Sequence, residues 1–556
     1  MVPLLLLTLV SACLASTLPV VDLGYERHQA ISFNSSHGLY NFTNIRYAAP
    51  PVGDLRFRAP VLPKENREKI QNGSVGKICP QASPLWSTDV QTAFILSYFT
   101  NQTSSSFSLS TNVSALKYKP AKQDPRATED CLFLDVVVPK KVFERTKGKG
   151  AGSRKNLAPV LVWIYGGGYT GGDKSSSDPT GLIQRSMVGK DEGIVYVAMN
   201  YRLGAFGWLG GESITTNGTA NAALHDQRFA LDWVYKNIHL FGGDATRVTV
   251  MGESAGAGSI LHQITAYGGT RGASPFQQAI IQSPGWVPVI SEEQQEETLQ
   301  QFLGILNVST IEQARKLPSD KLIAANALQV ATKSEWGQFT YGPTVDGSLV
   351  PALPGQLLLR GDFDHNLNIM VGHNANEGLV FTSPASINST GLEAQMKTLA
   401  EDIPRNVSDY VLNVLYPPVY NGSYGYTDSI ARTSAVISDL IFQCNTDYIN
   451  RAFHNQTYAY EFSIPPALHG QDVSYTFYNN GSASVANVTV ALAMQDFFTS
   501  FVQHGAPKSH LAPTFGNLGQ HAQLMNIGNE TIQPTPDLTR NPRCRFWQTA
   551  PYYKPT

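Results

Sequence analysis

Apolar positions along this chain fall into two alternating patterns. Short unbroken runs, "APVLVWIY" ending at Tyr165, "GIVYVAMNYR" from Gly193, "RVTVMG" ending at Gly252 and "FQQAIIQS" ending at Ser283, have the character of strands buried on both faces. Between them, "ALHDQRFALDWVYKNI" and "AGSILHQITAY" repeat apolar residues at helical spacing. This alternation predicts an α/β fold with a large, mostly parallel central sheet and helices on both faces. The stretch from Glu292 to Val330 reads mainly helical, as a long insertion would. No repeat at solenoid periods and no linker divides the chain.

The first of these strands runs into "YGGGYTGG", where Gly166, Gly167, Gly168, Gly171 and Gly172 leave backbone free to approach a ligand closely. The spacing satisfies G-x-G-x-x-G, but a dinucleotide turn needs a helix opening at the glycines, and "DKSSSDPTG" reads as polar loop. Gly172-Asp173-Lys174-Ser175 nearly ends a P-loop, yet Asp173 puts a carboxylate where phosphate charge would sit. The glycines therefore suit a transient oxyanion better than a phosphate.

Composition narrows the setting. With 556 residues, 42% hydrophobic and 15% charged, the chain has ample material for a large core. A formal net charge of −2 offers no basic face to nucleic acid. The opening "MVPLLLLTLVSACLAS" has an apolar run too short to span a bilayer, and small residues at Cys13 and Ala15 suit cleavage after Ala15. Residues 1–15 thus read as a secretory signal, without the usual basic start, ahead of one domain over 16–556. No second apolar stretch approaches twenty residues, so no stable membrane insertion is expected.

Loss of Cys13 with the signal leaves Cys79, Cys131, Cys444 and Cys544, an even set that three pairings satisfy. Sequential pairing closes two separate loops, each worth about 4–5 kcal/mol of chain entropy. N-x-[ST] acceptors are dense, at Asn34, Asn41, Asn72, Asn101, Asn112, Asn217, Asn307, Asn388, Asn406, Asn421, Asn455, Asn480, Asn487 and Asn529, which suits an exported glycoprotein.

The sharpest chemical signal is "RVTVMGESAGAGS". Gly252-Glu253-Ser254-Ala255-Gly256 is G-x-S-x-G between strand and helix, the context of a nucleophile elbow. Such an elbow pairs with a glycine-rich turn after an earlier strand, so the amides of Gly167, Gly168 and Ala255 are the expected oxyanion donors. The serine needs a histidine base and an orienting acid, in the order Ser, acid, His. His454 precedes a sequon, His504 ends a helical stretch, and His510 and His521 lie in polar coil. His469 follows an apolar strand through a proline-rich loop and is preferred as the base. Glu377, just beyond the strand in "LNIMVGHNANEGLVF", is preferred as the acid over Asp346, which reads as a turn residue. His373 precedes the acid and breaks the order.

With these residues in place, the chain resembles the type-B carboxylesterase/lipase family, cholinesterase-like α/β-hydrolases, and secreted fungal members most. "NIRYAAPPVGDLRFRAP", "EDCLFLDVVVP", "WIYGGGY", "NYRLGAFGWL", "VMGESAGAGS", "NANEG", "LHGQDVSYTF" and "FVQHGAPK" resemble family segments in family order. The resemblance implies the α/β-hydrolase fold and a Ser254–His469–Glu377 triad. It also implies disulfides Cys79–Cys131 and Cys444–Cys544, and leaves His504 as a decoy. It departs in lacking a small disulfide loop after the elbow helix and in carrying Tyr165 where many members have histidine. Trp86 has no match to the choline-binding tryptophan, so choline specificity is not implied. The Cys79–Cys131 loop, with Trp86, Phe94, Tyr98, Phe99 and Phe107, reads equally as a lid or as packed core.

The expected function is a secreted serine hydrolase acting on a small ester or lipid through an acyl-enzyme, needing no metal or organic cofactor. An interfacial lipase, or an acyltransferase or biosynthetic esterase on the same triad, are the alternatives. A non-catalytic adhesion module, the remaining reading, usually lacks a catalytic residue.

Overall fold

The computed structural model describes residues 18–87, 89–100, 118–120, 122–145, 157–189, 193–286, 291–401, 403–480 and 485–553. The leader at 1–15, with Cys13, together with Asn101, Phe107 and Asn112, lies outside the described residues.

Fourteen strands are described. They are β1 (Val20–Asp22), β2 (Glu26–Gln29), β3 (Ser32–Asn34), β4 (Leu39–Arg46), β5 (Asn66–Gln71), β6 (Phe133–Pro139) and β7 (Ala158–Ile164). There follow β8 (Val195–Met199), β9 (Gly243–Glu253), β10 (Gln278–Gln282), β11 (Asn368–Asn374), β12 (Tyr458–Phe462), β13 (Gln523–Ile527) and β14 (Ile532–Pro536). β1, β2 and β5 form a small sheet, and the other eleven form one large sheet in the order β14-β13-β12-β11-β10-β9-β7-β8-β6-β4-β3.

In the large sheet, pairing is parallel from β8 through β7, β9, β10, β11 and β12 to β13, and antiparallel outside that block. The apolar runs account for this arrangement. Every residue of β7 and of β8 is buried, as a strand covered on both faces requires. Helices Ala222–Asn237, Ala255–Ile264 and Val488–His504 pack against the central strands.

The region from Glu292 is helical as expected: Glu292–Ile305, Ile311–Arg315 and Ser319–Lys333. Ser291 and Thr310 cap the first two by accepting the N–H groups of Gln294 and Gln313. Both sequential disulfides are present, Cys79–Cys131 and Cys444–Cys544. Trp86 and Phe94 are buried and Phe99 is exposed. The Trp86 indole donates to the Gln338 carbonyl at 2.9 Å, so this part of the loop is core.

Among the described acceptors, Asn34, Asn72, Asn307, Asn388, Asn406, Asn421, Asn480 and Asn529 are exposed, whereas Asn41, Asn217, Asn455 and Asn487 are half-buried. Asn217 and Asn487 spend their amides on protein contacts, with Glu312 and with the Asn529 carbonyl.

Candidate active site

Ser254 sits between the end of β9 and the helix Ala255–Ile264 with φ 55° and ψ −123°, a backbone setting that non-glycine residues rarely adopt. Its neighbours make the turn possible. A Cβ on Gly256 would lie 2.0 Å from the Ile164 carbonyl oxygen, and one on Gly252 would lie 2.8 Å from the same atom. The first and last glycines of G-x-S-x-G are thus required by contact with β7.

The parallel strands end on the same side, and their carboxyl ends carry the remaining groups. Glu377 follows β11 and is fully buried. His469 follows β12 through Pro465-Pro466, whose peptide bond is cis. The imidazole Nε2 lies 2.8 Å from Ser254 Oγ, and Nδ1 lies 2.5 Å from Glu377 Oε2. The other carboxylate oxygen, Oε1, accepts from Ser283 Oγ at 2.6 Å and from the Asn374 N–H at 2.6 Å. Asp346 instead accepts from Ser348 and Val350 N–H groups within its own turn. His373 is buried in β11, His504 ends its helix, and His454 and His510 are exposed.

The glycine loop lies beside the elbow. A Cβ on Gly166 would stand 2.9 Å from that of Ser254. No helix opens until Thr180, which disposes of the dinucleotide pattern. Gly167 has φ +110° and a Cβ there would meet the Gly171 carbonyl oxygen at 2.4 Å. Gly168 has φ +60° and faces the Phe339 ring, 2.3 Å from where a Cβ would be. Among the described residues, the N–H groups of Gly167, Gly168 and Ala255 donate to no protein acceptor. Gly168→Ala is expected to displace the loop and lower kcat by about 10²–10³, the effect of removing one oxyanion donor. Stopped-flow acylation rates would check this, and a change below threefold would show that the Gly168 amide is not used.

The Carboxylesterase family model matches residues 27–547. The chain belongs to the carboxylesterase family. It is 40% identical to "Carboxylesterase patB" of Penicillium expansum, with 99% of each chain covered. It is 29% identical to "Lipase 1" of Geotrichum candidum over 88% of this chain and 87% of that one. The crystal structure of Aspergillus niger EstA superposes with a TM-score of 0.78 at 25% identity, covering 97% of this chain and 99% of that chain. Fold and family agree with the resemblance read from the motifs.

In this carboxylesterase-family chain, the sequence reading missed four neighbours of the assembled groups. Ser283 follows β10 with φ 50° and holds Glu377; only a bare "QSPG" marks it. Phe442 packs on the His469 ring at 4.3 Å with the planes tilted by 39°, and Phe381 meets it edge-on at 5.1 Å. Phe442 enters on a π-helical turn, Ser438–Gln443, which no apolar periodicity announces. The fourth is Glu253, the variable position of the elbow motif. Its Oε1 lies 3.3 Å from His469 Nε2 and has no hydrogen-bond partner among the described residues.

Burial pulls the His469 imidazole down, but the carboxylates of Glu253 and Glu377 outweigh it and push it up to about 9. Burial pushes the Glu253 carboxyl itself up to about 8. A base works as neutral imidazole, so kcat/KM is expected to fall as pH drops below the raised value. Glu253→Gln removes a negative charge beside Nε2 and should move that acid limb down by about one pH unit or more. A pH profile with an unmoved or raised limb would refute the coupling.

A cavity of about 590 Å³ opens over Ser254, with Gly168 and Ala255 also on its lining. Phe339 and Phe381 form part of its wall, and Trp86 packs behind them with ring centroids 5.4 and 6.2 Å away. Among the described residues, no helix is long and apolar enough to cross a membrane.

Proposed function

We propose that this chain is a secreted serine hydrolase of carboxylic esters, acting through a Ser254–His469–Glu377 triad and an acyl-enzyme. The observation that carries this reading is the unbroken contact chain of 2.8 and 2.5 Å from Ser254 through His469 to Glu377. Ser254 Oγ attacks the ester carbonyl while His469 Nε2 accepts its proton, and the proton then passes to the leaving alcohol. Glu377 fixes the proton on Nδ1 and stabilises the imidazolium. The N–H groups of Gly167, Gly168 and Ala255 receive the oxyanion. Water then attacks the acyl-enzyme with His469 again as base.

Export rests on the leader at 1–15, with one catalytic domain following over 16–556, and some relatives carry the name "Secreted lipase". Glycosylation is assigned to the exposed acceptors.

Initial rates on p-nitrophenyl esters from acetate to palmitate test the reading. Rates that vanish when a serine-directed phosphonate labels Ser254 are expected. A labelled Ser254 with undiminished turnover would overturn the assignment.

A further inference from the structure

The cavity over Ser254 changes character along its depth. Next to the serine, the buried aromatic side chains Tyr169, Trp286, Phe381 and Phe442 line it. Farther out it is bounded by one face of the helix Glu292–Ile305, and that face is wholly polar. Gln294, Glu297, Thr298 and Gln301 recur there at i, i+3, i+4 and i+7, while Leu299, Phe302 and Leu303 turn to the core. The ends of two other helices add Lys333, Glu335, Lys397 and Glu401, all exposed.

Among the described residues, three carboxylates therefore stand around the mouth, each holding one neutral side-chain donor. Glu297 accepts from Gln301 at 3.1 Å, Glu335 from Thr398 at 3.1 Å and Glu401 from Gln294 at 2.9 Å. A carboxylate offers about four acceptor sites, so each retains capacity for further donors. Lys333 and Lys397 stand in the same ring, Lys397 also paired with Glu393 at 3.0 Å, so the mouth presents both donors and acceptors. A hydroxyl group both donates and accepts, and matches such a ring. A methylene chain laid there would strip water from charged groups and return no hydrogen bond. The C–H faces of a sugar or polyol can meanwhile pack on the aromatic base.

We infer that the substrate is a neutral ester with one hydroxyl-rich half, a sugar or polyol ester, rather than a long-chain acylglycerol. The inference rests on the hydrolase reading above and specifies its substrate class.

Two matched pairs test it on the full chain: methyl glucoside 6-acetate against hexyl acetate, and methyl gluconate against methyl hexanoate. At least one hydroxyl-rich member should exceed its alkyl partner about tenfold in kcat/KM, the worth of one hydrogen bond to a charged group. The Glu297→Leu/Gln301→Leu double variant should lower that ratio about tenfold or more. A ratio within one preparation does not depend on the fraction of active enzyme, so partial misfolding leaves the test intact. Alkyl esters preferred in both pairs, or a ratio the double variant leaves unchanged, overturns the inference and spares the hydrolase reading. Absence of any Ser254-dependent cleavage of these esters and of p-nitrophenyl acetate overturns both.

Discussion

Ser254→Ala is expected to lower kcat on p-nitrophenyl butyrate by about 10⁶, to the level left by binding and oxyanion contacts alone. The change deletes one atom. Alanine keeps the Cβ and meets the same strain at φ 55°, so the elbow has no new reason to rearrange. The cost to stability is the single hydrogen bond to His469, on the order of 1 kcal/mol, and the unfolding midpoint should move by only a few degrees. Measuring both quantities on one preparation makes the result decisive. A rate within tenfold of the parent, on a folded protein, would mean that another group attacks the ester.

Much of this candidate site was legible in the sequence. The buried runs that became β7, β8 and β9 were visible because strands covered on both faces tolerate almost no polar residues. The elbow was visible because contact with β7 forces its glycines, and a forced residue leaves a local mark. Glu377 and His469 were placed by chain order and by their position after strands, with Asp346 and several histidines as rivals.

What was not legible depends on approach in space. Ser283 reaches Glu377 from the end of β10, beside β11, through a register that neither segment encodes alone, and joins there the Asn374 N–H three residues before the acid. Glu253 sits inside the quoted motif, yet its 3.3 Å approach to His469 exists only after β12 is laid three strands away from β9. Phe442 faces His469 because a π-helical turn rotates it there, against the period by which helix faces are read.

The second large effect follows from those unannounced neighbours. Glu377→Gln is expected to lower kcat by about 10⁴ while the protein stays folded. Both groups that reach Oε1, the Ser283 hydroxyl and the Asn374 N–H, are donors. A carboxamide in the same place must therefore turn its oxygen toward them and its NH₂ toward His469 Nδ1. That nitrogen then becomes an acceptor, and the ring proton moves to Nε2, the atom 2.8 Å from Ser254 Oγ. A protonated Nε2 cannot take the serine proton, so the base is lost although every heavy atom keeps its place. Ser283→Ala combined with Glu377→Gln removes one of the two donors that set the amide orientation. The double variant should recover part of the lost rate, because the amide can then present its oxygen to Nδ1 in a fraction of molecules. Nitrogen-15 shifts of the His469 ring would report the tautomer directly. An Nδ1-protonated ring in the single variant, with kcat near the parent's, would remove Glu377 from its orienting role.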